Sequence, residues 1–352
     1  MFYGCSKLSS FSSNLSNLTH GDNMFSGCTS LETFKSDLSS LTNGDNMFSG
    51  CTSLGKFDAS LKSLESLDPS IFTGNKITIF KSDLSSLKSS GELRFVDIFP
   101  LLKIFDANLS SLTDGTGAFY YCSKLESFNG DLGSLTHGDN MFKDCTSLNT
   151  FNANLGSLTH GDNMFSFTAL TSFNGDLSSL THGNYMFPTS LTSFSSDLSS
   201  LTHGYHMFSS TSLTSFSSDL SSLIDGKYMF SGCTSLETFE SDLSSLTNGI
   251  NMFYRCSNLS SFSCDLSSLE DGEYMFCGCY LDAVSTVKIL KSLPNQKDNT
   301  KTHVITLTCQ YSVHNDVECS AAIETAEGNG WEVNTSFVEN QPDVSILSLD
   351  DS

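Results

Sequence analysis

Positive charge is scarce in this chain of 352 residues: 17 Lys and Arg stand against 39 Asp and Glu, a net charge of −22. Such a balance repels phosphate backbones and anionic lipid, which excludes nucleic acid as a partner. No apolar run approaches the roughly 18 residues that cross a bilayer, so membrane insertion is excluded as well. The first residues, Met1-Phe2-Tyr3-Gly4-Cys5, have neither a basic n-region nor an apolar h-region, and no secretion signal is readable in them. Catalytic signatures are missing too. No Ser sits in G-x-S-x-G, there is no H-E-x-x-H, and no Gly-rich phosphate loop carries a Lys. We therefore expect no enzyme, no cofactor and no metal centre.

What is present is periodic. Charged residues make up only 16% of the chain, and 28 Phe stand beside a single Trp, a bias that points to a repeat. With 38% hydrophobic residues there is enough apolar surface for a core, so a disordered Ser-rich linker is excluded. A Phe closes a Met-Phe-like pair at 2, 25, 48, 72, 99, 119, 142, 165, 187, 208, 230, 253 and 276, a spacing of 20 to 27 residues. That period is in the leucine-rich-repeat range, and the apolar positions within it are too closely spaced for a sustained helix. The expected fold is a mainly β repeat solenoid, a leucine-rich-repeat-like stack of about twelve coils of 20–27 residues over 1–280.

Each coil carries recognisable columns. Two residues after the strand Phe stands a small residue, among them Ser13, Ser36, Ala59, Ala107, Gly130, Gly175, Ser196, Ser241 and Cys264. Strand alternation places it on the Phe face, so it should point into a narrow interior. The residue between them points outward. Eight Cys share one place, three residues after the repeat Phe, and read as inward reduced thiols or, in an oxidising compartment, as bridged neighbours. Asn or Asp precedes the first wall Leu and is expected to cap turn N–H groups. A turn column reads His137, His160, His182 and His203 in four successive coils, with Asn or Asp elsewhere, which suits a turn before Gly. The alternative there is a metal held by stacked imidazoles.

Between Lys56 and Gly117 the units are irregular, where a register change or simple drift is expected. Residues 281–337 leave the period and read as an αβαβ capping module. Asp282 caps a helix with Val284, Val287, Leu290 and Leu293 on one face, His303–Cys309 forms a strand, a second helix runs from Asp316, and Trp331–Phe337 forms a second strand. Residues 338–352 read as a flexible acidic tail. Met1–Leu8 nearly repeats Met252–Leu259, so the first residue falls inside a unit. A truncated chain is expected from this, and an uncapped first coil invites end-to-end self-association.

The unit M-F-x-x-C-x-x-L-x-x-F, seen in Met47-Phe48-Ser-Gly-Cys51-Thr-Ser-Leu54 and Met229-Phe230-Ser-Gly-Cys233-Thr-Ser-Leu236, resembles the BspA-like leucine-rich repeats of bacterial and protozoan surface proteins. The resemblance covers roughly Met1 to Cys279 and implies an extracellular or cell-surface, non-enzymatic scaffold; phage-encoded receptor-binding or structural proteins share these repeats. The stretch from the strand to the next Met-Phe is shorter here than in the usual family form. Binding to a host protein or glycan surface is expected on the outward strip formed by Asn129, Asn152, Asn174, Ser195 and Ser217, with Glu126, Asn149, Thr171, Thr192 and Thr214 beside it. Those coils are regular and their outward side chains small and polar.

Overall fold

The structure, a computed structural model, describes residues 1–88, 94–297 and 300–339. It divides into two units, Met1–Leu170 and Thr171–Ser352, both built from coils of a β-solenoid, about 11 turns in all.

In the first unit every coil contributes one strand to a parallel sheet of seven, in chain order: β1 (Ser10–Asn14), β2 (Thr33–Asp37), β3 (Lys56–Ser60), β4 (Ile79–Asp83), β5 (Ile104–Asn108), β6 (Ser127–Asp131) and β7 (Thr150–Asn152). Like residues pair with like, Phe11 with Phe34, Phe34 with Phe57 and Phe105 with Phe128, because the repeat itself sets the register. Among the described residues β1 is paired on one side only.

The core is two interleaved columns of phenylalanine. Repeat residues Phe25 and Phe48 stack face to face at 5.5 Å, strand residues Phe34 and Phe57 at 5.6 Å, and the columns meet edge to face, as in Phe34 on Phe48 at 4.7 Å. Both arrangements suit the aromatic quadrupole, and a coil rise near the strand spacing of roughly 4.8 Å brings like rings into stacking range. Leu38, Leu41 and Met47 complete the wall without exposure.

The irregular region is a change of register with a specific cause. Phe95, not Phe99, takes the repeat place: it stacks on Phe119 at 4.3 Å and donates its N–H to Ala118 O. Through Phe95 the spacing from Phe72 to Phe119 becomes 23 and 24 residues in place of 27 and 20. The short helix α1 (Phe95–Ile98) absorbs the surplus and returns Phe99 edge-on to Phe72.

The small column is inward, though near the sheet margin. Ala59, Ala107 and Cys264 are buried, whereas the serines are half-buried except Ser13, which is exposed in the first coil. Ser82 and Ser241 donate their hydroxyls to the carbonyls of Ala59 and Ser218 in the preceding coil, at 2.8 and 2.6 Å. At Gly130 a Cβ would lie 2.8 Å from its own coil's Phe128 ring and 3.1 Å from Ala107 O. Bulk is excluded by that ring and by the neighbouring backbone together.

In the second unit the strands shrink to two residues. β8 (Ser172–Phe173) pairs with β9 (Ser193–Phe194), and β10 (Ser215–Phe216), β11 (Thr238–Phe239) and β12 (Ser261–Phe262) form a separate sheet. The turn edge carries its own ladder of bridges, from His182 to His203, Asp225, Asn248 and Asp271.

The expected αβαβ order is present as α2 (Ala283–Ser292), β14 (His303–Gln310), α3 (Val317–Gly328) and β15 (Trp331–Val338). Its strands join β13 (Gly272–Leu281) in a parallel sheet ordered β13-β14-β15, so the module continues the stack from the last coil. Asp282 and Asp316 cap the two helices through the N–H groups of Ser285 and Cys319. Of the face expected on α2, Val287, Leu290 and the following Leu293 are buried, whereas Val284 is 62% exposed and Ile289 is buried in addition. The second strand runs on to Val338, and of the expected tail residues 340–352 lie outside the described residues.

Candidate functional site

The outward column of the first unit is a polar ladder. Lys35 pairs with Asp58 at 3.1 Å and Lys81 with Asp106 at 2.8 Å, while Asn129 donates to Asp106 and Asn152 to Asn129, each at 3.0 Å. Asn129 and Asn152 are therefore neighbours on one face, as the repeat requires. Glu126 is held by Lys103 at 2.8 Å, and Asn149 accepts from the hydroxyl of Thr150. These exposed pairs add little stability, yet they hold the side chains in one geometry.

In the second unit Asn174, Ser195 and Ser217 line a shallow concavity of about 440 Å3. The hydroxyl of the flanking Thr192 donates to Thr171 O at 2.9 Å, while the Thr214 carbonyl accepts from Glu237 N–H. Part of the floor is Phe194, half-buried where its stack on Phe216 opens to 5.9 Å. The concavity reaches across the gap between the β8-β9 pair and the β10-β11-β12 sheet. Asp176 and Asp197, members of the Asx column expected to cap turns, rim it. That capping is real: their carboxylates accept from Ser178 and Ser199 N–H at 3.0 and 2.8 Å. The Ser178 N–H, then its hydroxyl, hold the Asp176 carboxyl below the usual range. The same two-residue turn recurs from Asn14 to Asp265, so the Asx column is local turn chemistry.

The turn histidines form stacked pairs. His137 lies on His160 at 4.9 Å and 9°, and His182 on His203 at 4.8 Å and 4°. The Nδ1 of His137 and of His203 each meet the hydroxyl of the preceding Thr at 3.0 Å. In rings lying parallel at that separation the remaining nitrogens point side by side, whereas a zinc ion needs lone pairs converging at about 2.1 Å. The described residues hold no group of three or more His, Cys, Asp or Glu arranged for a metal.

Seven of the eight column cysteines are buried, Cys5 in the first coil being exposed, and all twelve thiols are free. Cys51, Cys145, Cys233, Cys256 and Cys279 each donate to the carbonyl of a repeat Phe in the preceding coil, at 3.0 to 3.2 Å. Burial pushes the Cys51 and Cys122 thiols up to about 12 and Cys233 to about 11. Because the thiolate is the reactive species, these groups should be inert at neutral pH. In the folded, reduced protein a maleimide should modify the exposed Cys5 first and the half-buried Cys277 more slowly. The buried column should react only after denaturation. Modification of Cys233 or Cys256 at the rate of Cys5 in the folded state would refute the sealed column.

The BspA type leucine rich repeat region matches in six copies over residues 1–98, 112–225 and 221–300. Among solved structures, a leucine-rich repeat protein from Bacteroides ovatus is 19% identical with a TM-score of 0.43, covering 96% of this chain and 85% of that one. A leucine rich cell surface protein from Faecalibacterium prausnitzii is 18% identical with a TM-score of 0.33, covering 88% and 80%. The functional domain of InlJ from Listeria monocytogenes, described as including a cysteine ladder, is 16% identical with a TM-score of 0.24, covering 84% and 65%. Comparison with curated proteins gives no match. With Met-Phe coils, a sealed cysteine column and a repeat match over most of its length, the chain belongs to the BspA-type leucine-rich-repeat family.

Proposed function

We propose that the protein is a non-enzymatic adhesive scaffold at the cell surface or outside the cell, binding a polar protein or glycan surface through its outward sheet strip. The observation that carries this reading is the strip itself. Asn129 and Asn152 hold each other in a hydrogen-bonded ladder in the first unit, and Asn174, Ser195 and Ser217 line an open concavity in the second. A repeat scaffold can vary such outward residues without disturbing its core, and preorganised side chains lose little entropy on binding. Single contacts of this kind are weak, so attachment draws on several coils or several molecules at once.

The test is the triple variant Asn174→Asp, Ser195→Asp, Ser217→Asp in a cell-attachment assay. Asp58 and Asp106 occupy the same column in other coils, so the fold should tolerate the change. Attachment should be lost while the circular dichroism spectrum and melting temperature are kept. The fourfold replacement of His137, His160, His182 and His203 by Asn should leave attachment unchanged. Loss of attachment in the His variant alone would overturn the strip assignment.

A further inference from the structure

A second surface lies at the turn edge of the second unit, away from the strip residues. In each coil the residue before the repeat Met sits in the left-handed region, and Asn, which tolerates that region, fills it at Asn23, Asn46, Asn140, Asn163 and Asn251, with φ between 55° and 59°. In three successive coils it is instead Tyr185, His206 and Tyr228, at φ 54°, 54° and 58°, and further along Tyr274 stands alone in this place at φ 55°. Bulky side chains are uncommon there, and nothing in the turn itself calls for them.

These three form a surface stack. Tyr185 lies on His206 at 4.8 Å and 7°, and His206 on Tyr228 at 4.6 Å and 4°. Tyr205 stands perpendicular to the stack, 4.4 Å from His206 and 5.2 Å from Tyr185. The Lys227 ammonium lies 5.5 Å from the Tyr228 ring centre. Tyr185 is 42% exposed and the other rings are half-buried. Burial, then Lys227, keeps the His206 pKa below its usual value, so the imidazole is neutral near pH 7.

We propose that Tyr185, Tyr205, His206 and Tyr228 form a binding site for a neutral carbohydrate chain. The chemistry on both sides matches. Sugar rings combine apolar C–H groups with hydroxyl edges, and because Tyr185, His206 and Tyr228 cover one another's faces, the row presents ring edges and hydrogen-bonding tips to them. Phenol and imidazole groups recur here once per coil, a regular row suited to a polymer rather than to one small molecule. The rings are already packed against one another, so little side-chain entropy remains to be lost on binding. A site for an apolar peptide would instead need a deep hydrophobic groove, and half-buried rings with polar tips do not make one.

Native affinity electrophoresis of the full chain in gels holding hydroxyethyl cellulose, xylan or mannan tests this. Wild-type protein should be retarded in at least one gel relative to a gel without polysaccharide. The fourfold variant Tyr185→Asn, Tyr205→Asn, His206→Asn, Tyr228→Asn restores residues the repeat uses at these two places in other coils, as at Asn163 and Asn184, and should fold with an unchanged spectrum yet migrate freely. Should that variant fail to fold, Tyr205→Asn with Tyr228→Asn carries the same test. The strip variant Asn174→Asp, Ser195→Asp, Ser217→Asp should keep its retardation, which separates failure of this site from failure of the adhesive strip. No retardation of the wild type in any gel, or equal retardation of the folded ring-free variant, would overturn the proposal.

Discussion

Replacing Phe230 by Ala should cost about 3 to 5 kcal/mol, the range for deleting a fully buried aromatic ring. Phe230 has no exposed surface and is enclosed on four sides by rings: Phe208 and Phe253 stack on its faces at 5.3 and 5.5 Å, and Phe216 and Phe239 meet it edge-on at 4.8 and 5.3 Å. Phe239 is in its own coil, while Phe208, Phe216 and Phe253 belong to the two adjacent coils, whose strands pair with this one, so the void cannot close by moving one side chain. The same substitution at Phe167 should shift stability by no more than about 0.5 kcal/mol, because that ring is 66% exposed. Phe167 also sits at φ 59°, in the turn place where other coils have Gly27, Gly50 and Gly232. Guanidinium unfolding midpoints measure the difference. Equal midpoints for the two variants would show that stacked phenylalanine is not what holds the coils together.

Ser196→Leu should destabilise by about 1 to 3 kcal/mol through overpacking, while Ser195→Leu should leave the midpoint almost unchanged. The two positions are adjacent in sequence and opposite in orientation. Ser196 is half-buried and donates its hydroxyl to Gly175 O at 2.5 Å, whereas Ser195 is exposed and contributes its N–H to Phe173 O at 2.9 Å, a bond that any side chain except proline leaves intact. At Gly175, the same place one coil earlier, even a Cβ would come within 2.8 Å of the Phe173 ring, which shows how little room the column leaves. Ser196→Ala separates the hydrogen bond from the bulk and should cost only about 1 kcal/mol. If Ser195→Leu proved as damaging as Ser196→Leu, the inward assignment of the small column would fall.

The sequence by itself determined everything that recurs within one coil. The Met-Phe period, the inward small residue, the Asx turn at Asp37 or Asp197, the internal cysteine and the helix caps at Asp282 and Asp316 each depend on residues a few positions apart, where sterics and side-chain reach leave one outcome. Whatever depends on how one coil meets the next was decided by the tertiary structure. The spacing reading gives the repeat place to Phe99, and only the ring of Phe119 shows that Phe95 keeps the stack instead. The concavity at Ser195 and Ser217 arises from an interrupted pairing between β9 and β10 that no single coil encodes. The histidine column reads first as turn chemistry, with a metal ladder as the alternative, and only the tertiary structure shows the rings of His137 and His160, and of His182 and His203, stacked on one another. Likewise Tyr185, His206 and Tyr228 are scattered departures from Asn in the sequence and become one surface only when a rise of one strand spacing brings residues more than twenty positions apart within 5 Å. Local chemistry repeats and is legible once per coil, whereas contacts between coils depend on register, which a single inserted turn can shift.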